Sequence, residues 1–159
     1  MLTKVSVTKA LAATTDYTAE DVLSESASAG TVWTFPRMGG SGHIVKAQAI
    51  CETTGLTPRL TLYLFDTTPT SELDDNEANT ALLHADLANY VGKIDFPALE
   101  DLGGDSESVA TPSTYGNLPL AFRTKSETDS LYGILVTRDD IADEVDGDDM
   151  TIVLEVEPG

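Results

Sequence analysis

The sequence predicts an all-β domain, a single jelly-roll-like β-sandwich with at most one short helix. Three observations carry that expectation. Apolar residues recur with a period of two, turn-forming residues punctuate almost the whole chain, and only one stretch has helical spacing. The 159 residues, with a hydrophobic fraction of 41%, suffice for one domain with a genuine core.

Taken in order, Val5 and Val7 suggest a first strand. Residues 1–16, rich in Thr and Ala with Lys4 and Lys9, read either as an extended arm laid across a neighbouring subunit or as an ordinary edge strand. Residues 17–159 are the sandwich. Thr31–Phe35 sets Val32 against Trp33 and Phe35 in a short strand, and Ile44–Cys51 is an apolar one. Leu60, Leu62 and Leu64 alternate with Thr61, Tyr63 and Phe65, which predicts a strand with one face on the core. Leu118, Leu120 and Phe122 repeat the pattern, as do Ile152, Leu154 and Val156. Leu131–Thr137 is apolar on both parities and reads as a central strand covered on both faces. Glu77–Asn89 is the one helical candidate, with Leu82, Leu83 and Leu87 on a face and Asn76 as cap, or else a loop excursion. The expected core includes Trp33, Leu60, Leu62, Leu64, Leu120, Ile134, Val136 and Leu154.

Charge narrows the function classes. Twenty-seven acids against nine bases give a formal charge of −18. Nucleic-acid binding needs clustered Lys and Arg to release counterions, and an anionic membrane surface needs the same, so both are excluded as expectations. Two readings of the acidity remain, a solvated and self-repelling surface or docking onto a basic partner. Met1–Ser6 lacks the apolar run of a signal peptide and no stretch is apolar enough to span a bilayer, so synthesis in a cytoplasm is expected. Cys51 stands alone and reads as a small buried hydrophobe.

Catalytic and metal motifs fail in turn. Aligning Gly147 with the sixth position of an EF-hand loop puts Ala142 first and Val153 twelfth, so both end ligands fail. An irregular cation site from Asp143, Asp146 and Asp148 is the remaining metal reading, against a solvated hairpin loop. His43 and His84 are isolated and read as surface or boundary residues. Gly39-Gly40-Ser41-Gly42 lacks the Lys-Ser/Thr of a phosphate loop and reads as a tight turn needing positive φ. No G-x-S-x-G elbow marks a nucleophile, and carboxylate pairs such as Asp74-Asp75 and Asp139-Asp140 are expected by chance in so acidic a chain. The expectation is a non-enzyme without cofactor or metal.

Several segments, in order, resemble a family of small tailed-bacteriophage proteins. They are Tyr17-Thr18-Ala19-Glu20-Asp21-Val22, Gly39–Ala47, Thr57–Phe65, Thr68-Pro69-Thr70 with Asp74-Asp75-Asn76, Gly92–Leu99 and Leu131–Thr137. The chain departs from the family's Gly-Asp-Val-Val-Gly turn, reading Glu20-Asp21-Val22-Leu23-Ser24. The resemblance implies a capsid decoration, or cement, protein: a virion component made in the host cytoplasm, seated on the capsid exterior and bound to the major capsid protein lattice. It also implies a homo-oligomer, with a trimer favoured, and no catalytic residues. A tail or fibre module or a carbohydrate-binding domain is the alternative, which exposed rings at Trp33, Tyr63, Tyr90 and Tyr115 would favour. Lys4, Lys9, Gly39, Gly40, Ser41 and Gly42 are the candidate interface residues.

Overall fold

The computed structural model describes residues 1–12, 15–142 and 145–159. Its strands are β1 (Thr3–Ala10), β2 (Val22–Leu23), β3 (Trp33–Phe35), β4 (Ser41–Cys51), β5 (Leu60–Phe65), β6 (Tyr90–Phe96), β7 (Glu100–Asp101), β8 (Ser106–Ala110), β9 (Leu120–Arg123), β10 (Leu131–Thr137) and β11 (Asp149–Pro158). Period two governs the long strands. In β11, Met150, Ile152, Leu154 and Val156 are buried and the residues between them are not.

Two antiparallel sheets pack face to face. The first runs β1-β11-β4-β8-β7, with β9 also on β4; the second runs β2-β10-β5-β6, with β3 also on β10. β2 and β3 lie along the same side of β10, against Leu135–Val136 and Leu131–Gly133 respectively, so they act as one edge strand interrupted by residues 24–32. Setting aside the short β7 and β9, eight principal strands remain. Their order is first-eighth-third-sixth in one sheet and second-seventh-fourth-fifth in the other, which is the interleaved double Greek key of a jelly roll. The all-β sandwich read from the sequence is the fold.

The core lies between the sheets. Trp33, Phe35, Ile44, Leu60, Leu62, Leu64, Ile94, Leu135 and Leu154 are all buried there. Trp33 satisfies its buried indole by donating to the Leu23 carbonyl at 3.1 Å. β10 is covered on both faces, as its double-parity pattern predicts. Thr3–Ala10 form an edge strand, pairing within the chain with Val156 through Asp149.

Three expectations need correction. β5 is not one-faced, because Thr61 and Phe65 are buried as well as its three leucines. Val22, Phe65, Ile134 and Val136 form a second apolar cluster on the outer side of that sheet, roofed by Leu73, Ala81 and Tyr90. Leu73 and Ala81 belong to the excursion between β5 and β6, and Tyr90 opens β6. The second concerns that excursion: the helical reading of 77–89 gives way to its loop alternative, with only a 3₁₀ segment at His84–Asn89. Leu82 and Leu87 are exposed, and Asn76 has φ of 64° and caps nothing helical. The excursion is instead tied by Asp86, whose buried carboxylate accepts from the Thr70 amide and from the Thr70 and Ser71 hydroxyls at 3.0–3.1 Å. Third, Leu120 is only half-buried, while its neighbours in the alternation, Leu118 and Phe122, are buried.

Candidate functional site

The residues singled out from the sequence fall into three environments. Lys4 lies on the exposed edge strand β1, its side chain 72% exposed and 3.6 Å from Glu155. Thr3–Ser6 there face Pro36–Gly39 and Pro158 across a groove of about 420 Å³, which also gathers exposed Arg37. Lys4 and Gly39 therefore meet in one groove. Lys9 does not join them. Its ammonium donates to Glu25 at 2.7 Å and Thr31 at 2.8 Å and sits 5.7 Å above the Trp33 ring. Burial opposes ionisation of Glu25, but the bonds from Lys9 and Thr31 outweigh it and hold its pKa below the ordinary value.

The third environment is the glycine turn. Gly39 and Gly40 have φ of 90° and 84°, left-handed values that favour glycine. Their amides donate to the Asp129 carboxylate at 3.1 and 2.7 Å, and Thr124 adds its hydroxyl at 2.9 Å. Those two amides, Gly40 first, hold the Asp129 carboxyl below its ordinary range. Ser41 and Gly42 open β4 and pair with Arg123 and Phe122 of β9. At Gly42 a side chain would run into the Glu157 carbonyl, so close strand packing requires glycine there.

Sequence reasoning missed a second surface. Arg59, Thr61, Lys93, Asp95, Tyr115 and Arg138 surround a cleft of about 650 Å³, with Phe96 and Pro97 among its walls. These residues sit at the ends of β5 and β10, on β6, and on the loop after β8. Arg59 holds Asp139 with two bonds, Nε at 3.0 Å and Nη2 at 2.8 Å, and pulls its carboxyl down to about 2. Lys93 pairs with Asp95 at 2.8 Å and Arg138 with Glu20 at 3.0 Å. Tyr115 is 99% exposed. The only signal in the sequence is that bases are scarce, so three of the nine in one place is a concentration.

No protein-family model matches the chain, and no curated protein matches it.

Of the four aromatic residues that a glycan platform would use, Trp33 is buried, Tyr63 and Tyr90 are half-buried, and Tyr115 stands out in solvent. Cys51 is buried and burial pushes its thiol pKa up, which leaves it a packing residue. His43 and His84 are exposed on separate elements. Among the described residues no three His, Cys, Asp or Glu side chains gather into a metal-holding group. The cation reading of Asp143, Asp146 and Asp148 rests in part on Asp143, which lies outside the described residues, as does Glu144.

A buried polar unit joins two of the quoted sequence segments. Tyr17 donates its hydroxyl to Asp75 at 2.7 Å, and the Ser24 amide donates to the same oxygen at 2.8 Å. The Asn76 amide donates to the Val22 carbonyl and the Val22 amide to the Glu77 carbonyl. Asp75 is 1% exposed, its other oxygen has no partner among the described residues, and burial raises its pKa.

Proposed function

We propose that this chain is a structural virion protein that binds the outer surface of a capsid lattice and stabilises it, working as a homo-oligomer without a cofactor. The observation that carries the reading is the contrast between the two outer faces of the sandwich. The second sheet is roofed by its own chain. Among the described residues no apolar cluster roofs the first sheet, and half-buried Val153, Ile50 and Val109 lie on its outer face among Gln48 and Thr151, with Lys4, Glu155 and Lys46 in register across β1, β11 and β4. A moderately apolar centre beside charged residues is the composition of a protein-docking surface. The segments that resemble the decoration-protein family build the sandwich itself: Gly39–Ala47 opens β4, Thr57–Phe65 contains β5, Gly92–Leu99 holds most of β6, and Leu131–Thr137 is β10.

The physics of such a role is linkage. A subunit that binds only the assembled lattice stabilises it by the free energy of its contacts, and an oligomer multiplies those contacts. A charge of −18 keeps the free subunit soluble at the high copy number of a shell component. The test is co-sedimentation of the purified protein with heads that lack it. Saturable binding and protection of those heads against heat and low salt support the reading. Heads that neither bind the protein nor gain stability refute it.

A further inference from the structure

We infer that the cleft walled by Arg59, Lys93, Arg138 and Tyr115 receives the acidic hairpin tip, residues 100–105, of a second copy of this chain. The inference rests on the homo-oligomer of the reading above and names the surface that would form it. Its first support is charge complementarity. Three of the nine bases in a chain of charge −18 line this one cleft, with Asp95 the only acid among the described lining residues. Counting Asp139 and Glu20, which pair with Arg59 and Arg138, the cleft is near neutral on an otherwise acidic molecule.

Spare donors are the second support. The exposed ion pairs engage Nε and Nη2 of Arg59 and only Nε of Arg138. Each guanidinium carries five N–H donors, so both keep hydrogen-bonding capacity pointed at nothing described in their own chain. Exposed pairs of this kind are worth little by themselves, so sharing them with an incoming carboxylate costs little.

The third support is the occupant. The β7–β8 hairpin tip reads Glu100-Asp101-Leu102-Gly103-Gly104-Asp105, three carboxylates around a leucine that is 67% exposed. Asp101 accepts the Gly103 amide at 2.9 Å, which fixes the tip. Leu102 matches the apolar walls of Phe96 and Pro97, and Glu100 and Asp105 match the cations around them.

Topology places tip and cleft on the same side of the molecule. β7 and β8 end the strand order of the first sheet, β6 ends that of the second, and β6 and β8 contact one another across the sandwich. A two-fold axis beside that edge closes two reciprocal contacts at once, whereas a ring uses one per neighbour.

The test uses the free full-length protein in a dilution series followed by native mass measurement and sedimentation velocity. Tip variant Leu102→Asp with Asp105→Lys, and cleft variant Tyr115→Asp with Arg138→Glu, should each weaken self-association at least tenfold while far-UV circular dichroism and melting stay as in the parent. A charge exchange supplies the decisive arm. Glu100→Lys/Asp105→Lys protein mixed with Arg59→Glu/Arg138→Glu protein should form a mixed assembly more tightly than either variant forms its own. The tip residues are exposed and outside the core, so the tip variants remain informative even where a cleft variant folds poorly. A parent that stays monomeric at every concentration, or tip variants that associate as tightly as the parent, overturns the inference. A monomer that still decorates heads would overturn it and leave the capsid reading standing; an assembly through the cleft that never binds heads would do the reverse.

Discussion

Asp75 shows what a single residue contributes to this fold and what it costs. Its carboxylate joins Tyr17 and Ser24 to the excursion after β5, but one oxygen is buried without a partner among the described residues. Burial raises its folded pKa above the ordinary 3.8, so its stabilising contribution is complete below that value and is lost as pH rises through the folded pKa. Asp75→Asn keeps an oxygen acceptor and removes the charge, so melts from acid to neutral pH should lose the decline that the parent shows in that window. An unchanged decline would contradict the assignment. Tyr17→Phe should cost about 1.5–3 kcal/mol in denaturant unfolding at neutral pH, the range for a hydrogen bond to a charged group. Asp129 carries the opposite sign. Its pKa is depressed by the Gly40 and Gly39 amides, so its contribution is present above 3.8 and disappears as pH falls through the lower folded value. Asp129→Ala should therefore speed amide exchange at Gly39 and Gly40 at neutral pH and change nothing in strong acid. The sequence marked the glycines of this turn but not Asp129, which is 89 and 90 positions away and meets them only in three dimensions.

At the scale of elements, periodicity was legible wherever one strand face meets the core and the other meets solvent. β11 follows it residue by residue, and β4 does so on either side of a register shift at Val45–Lys46. Leu154→Ala should cost about 2–5 kcal/mol because it opens a cavity between the sheets. Val153→Ala, on the outer face, should cost under about 1 kcal/mol by the same chemical denaturation. β5 misleads the pattern because its second face is covered by an irregular segment, and irregular cover has no period to read. The same segment explains the false helical signal: Leu83 and Leu87 have helical spacing beside Leu82, yet Leu82 and Leu87 stay in solvent while Leu73 and Ala81 do the packing. The basic cleft was illegible for a related reason. Arg59 precedes β5, Lys93 lies within β6 and Arg138 follows β10, and only the jelly-roll path brings the three together.

For the whole molecule, the dominant long-range force is self-repulsion from a charge of −18. Raising ionic strength from about 0.01 M to about 0.15 M shortens the Debye length from about 30 Å to about 8 Å, so the melting temperature should rise over that range. A fall would mean that attractive ion pairs such as Arg59–Asp139 outweigh the net repulsion. The fold itself, two antiparallel sheets in jelly-roll order, is what the strand spacing and turn residues predicted. The proposed docking role rests on the outer face of the first sheet, and imaging of virions tests it most directly. Particles carrying the protein, compared with particles lacking it, should show added density on the outer capsid surface at symmetry-related positions, into which this sandwich fits with its first sheet toward the lattice. Identical outer surfaces in the two preparations would contradict the account.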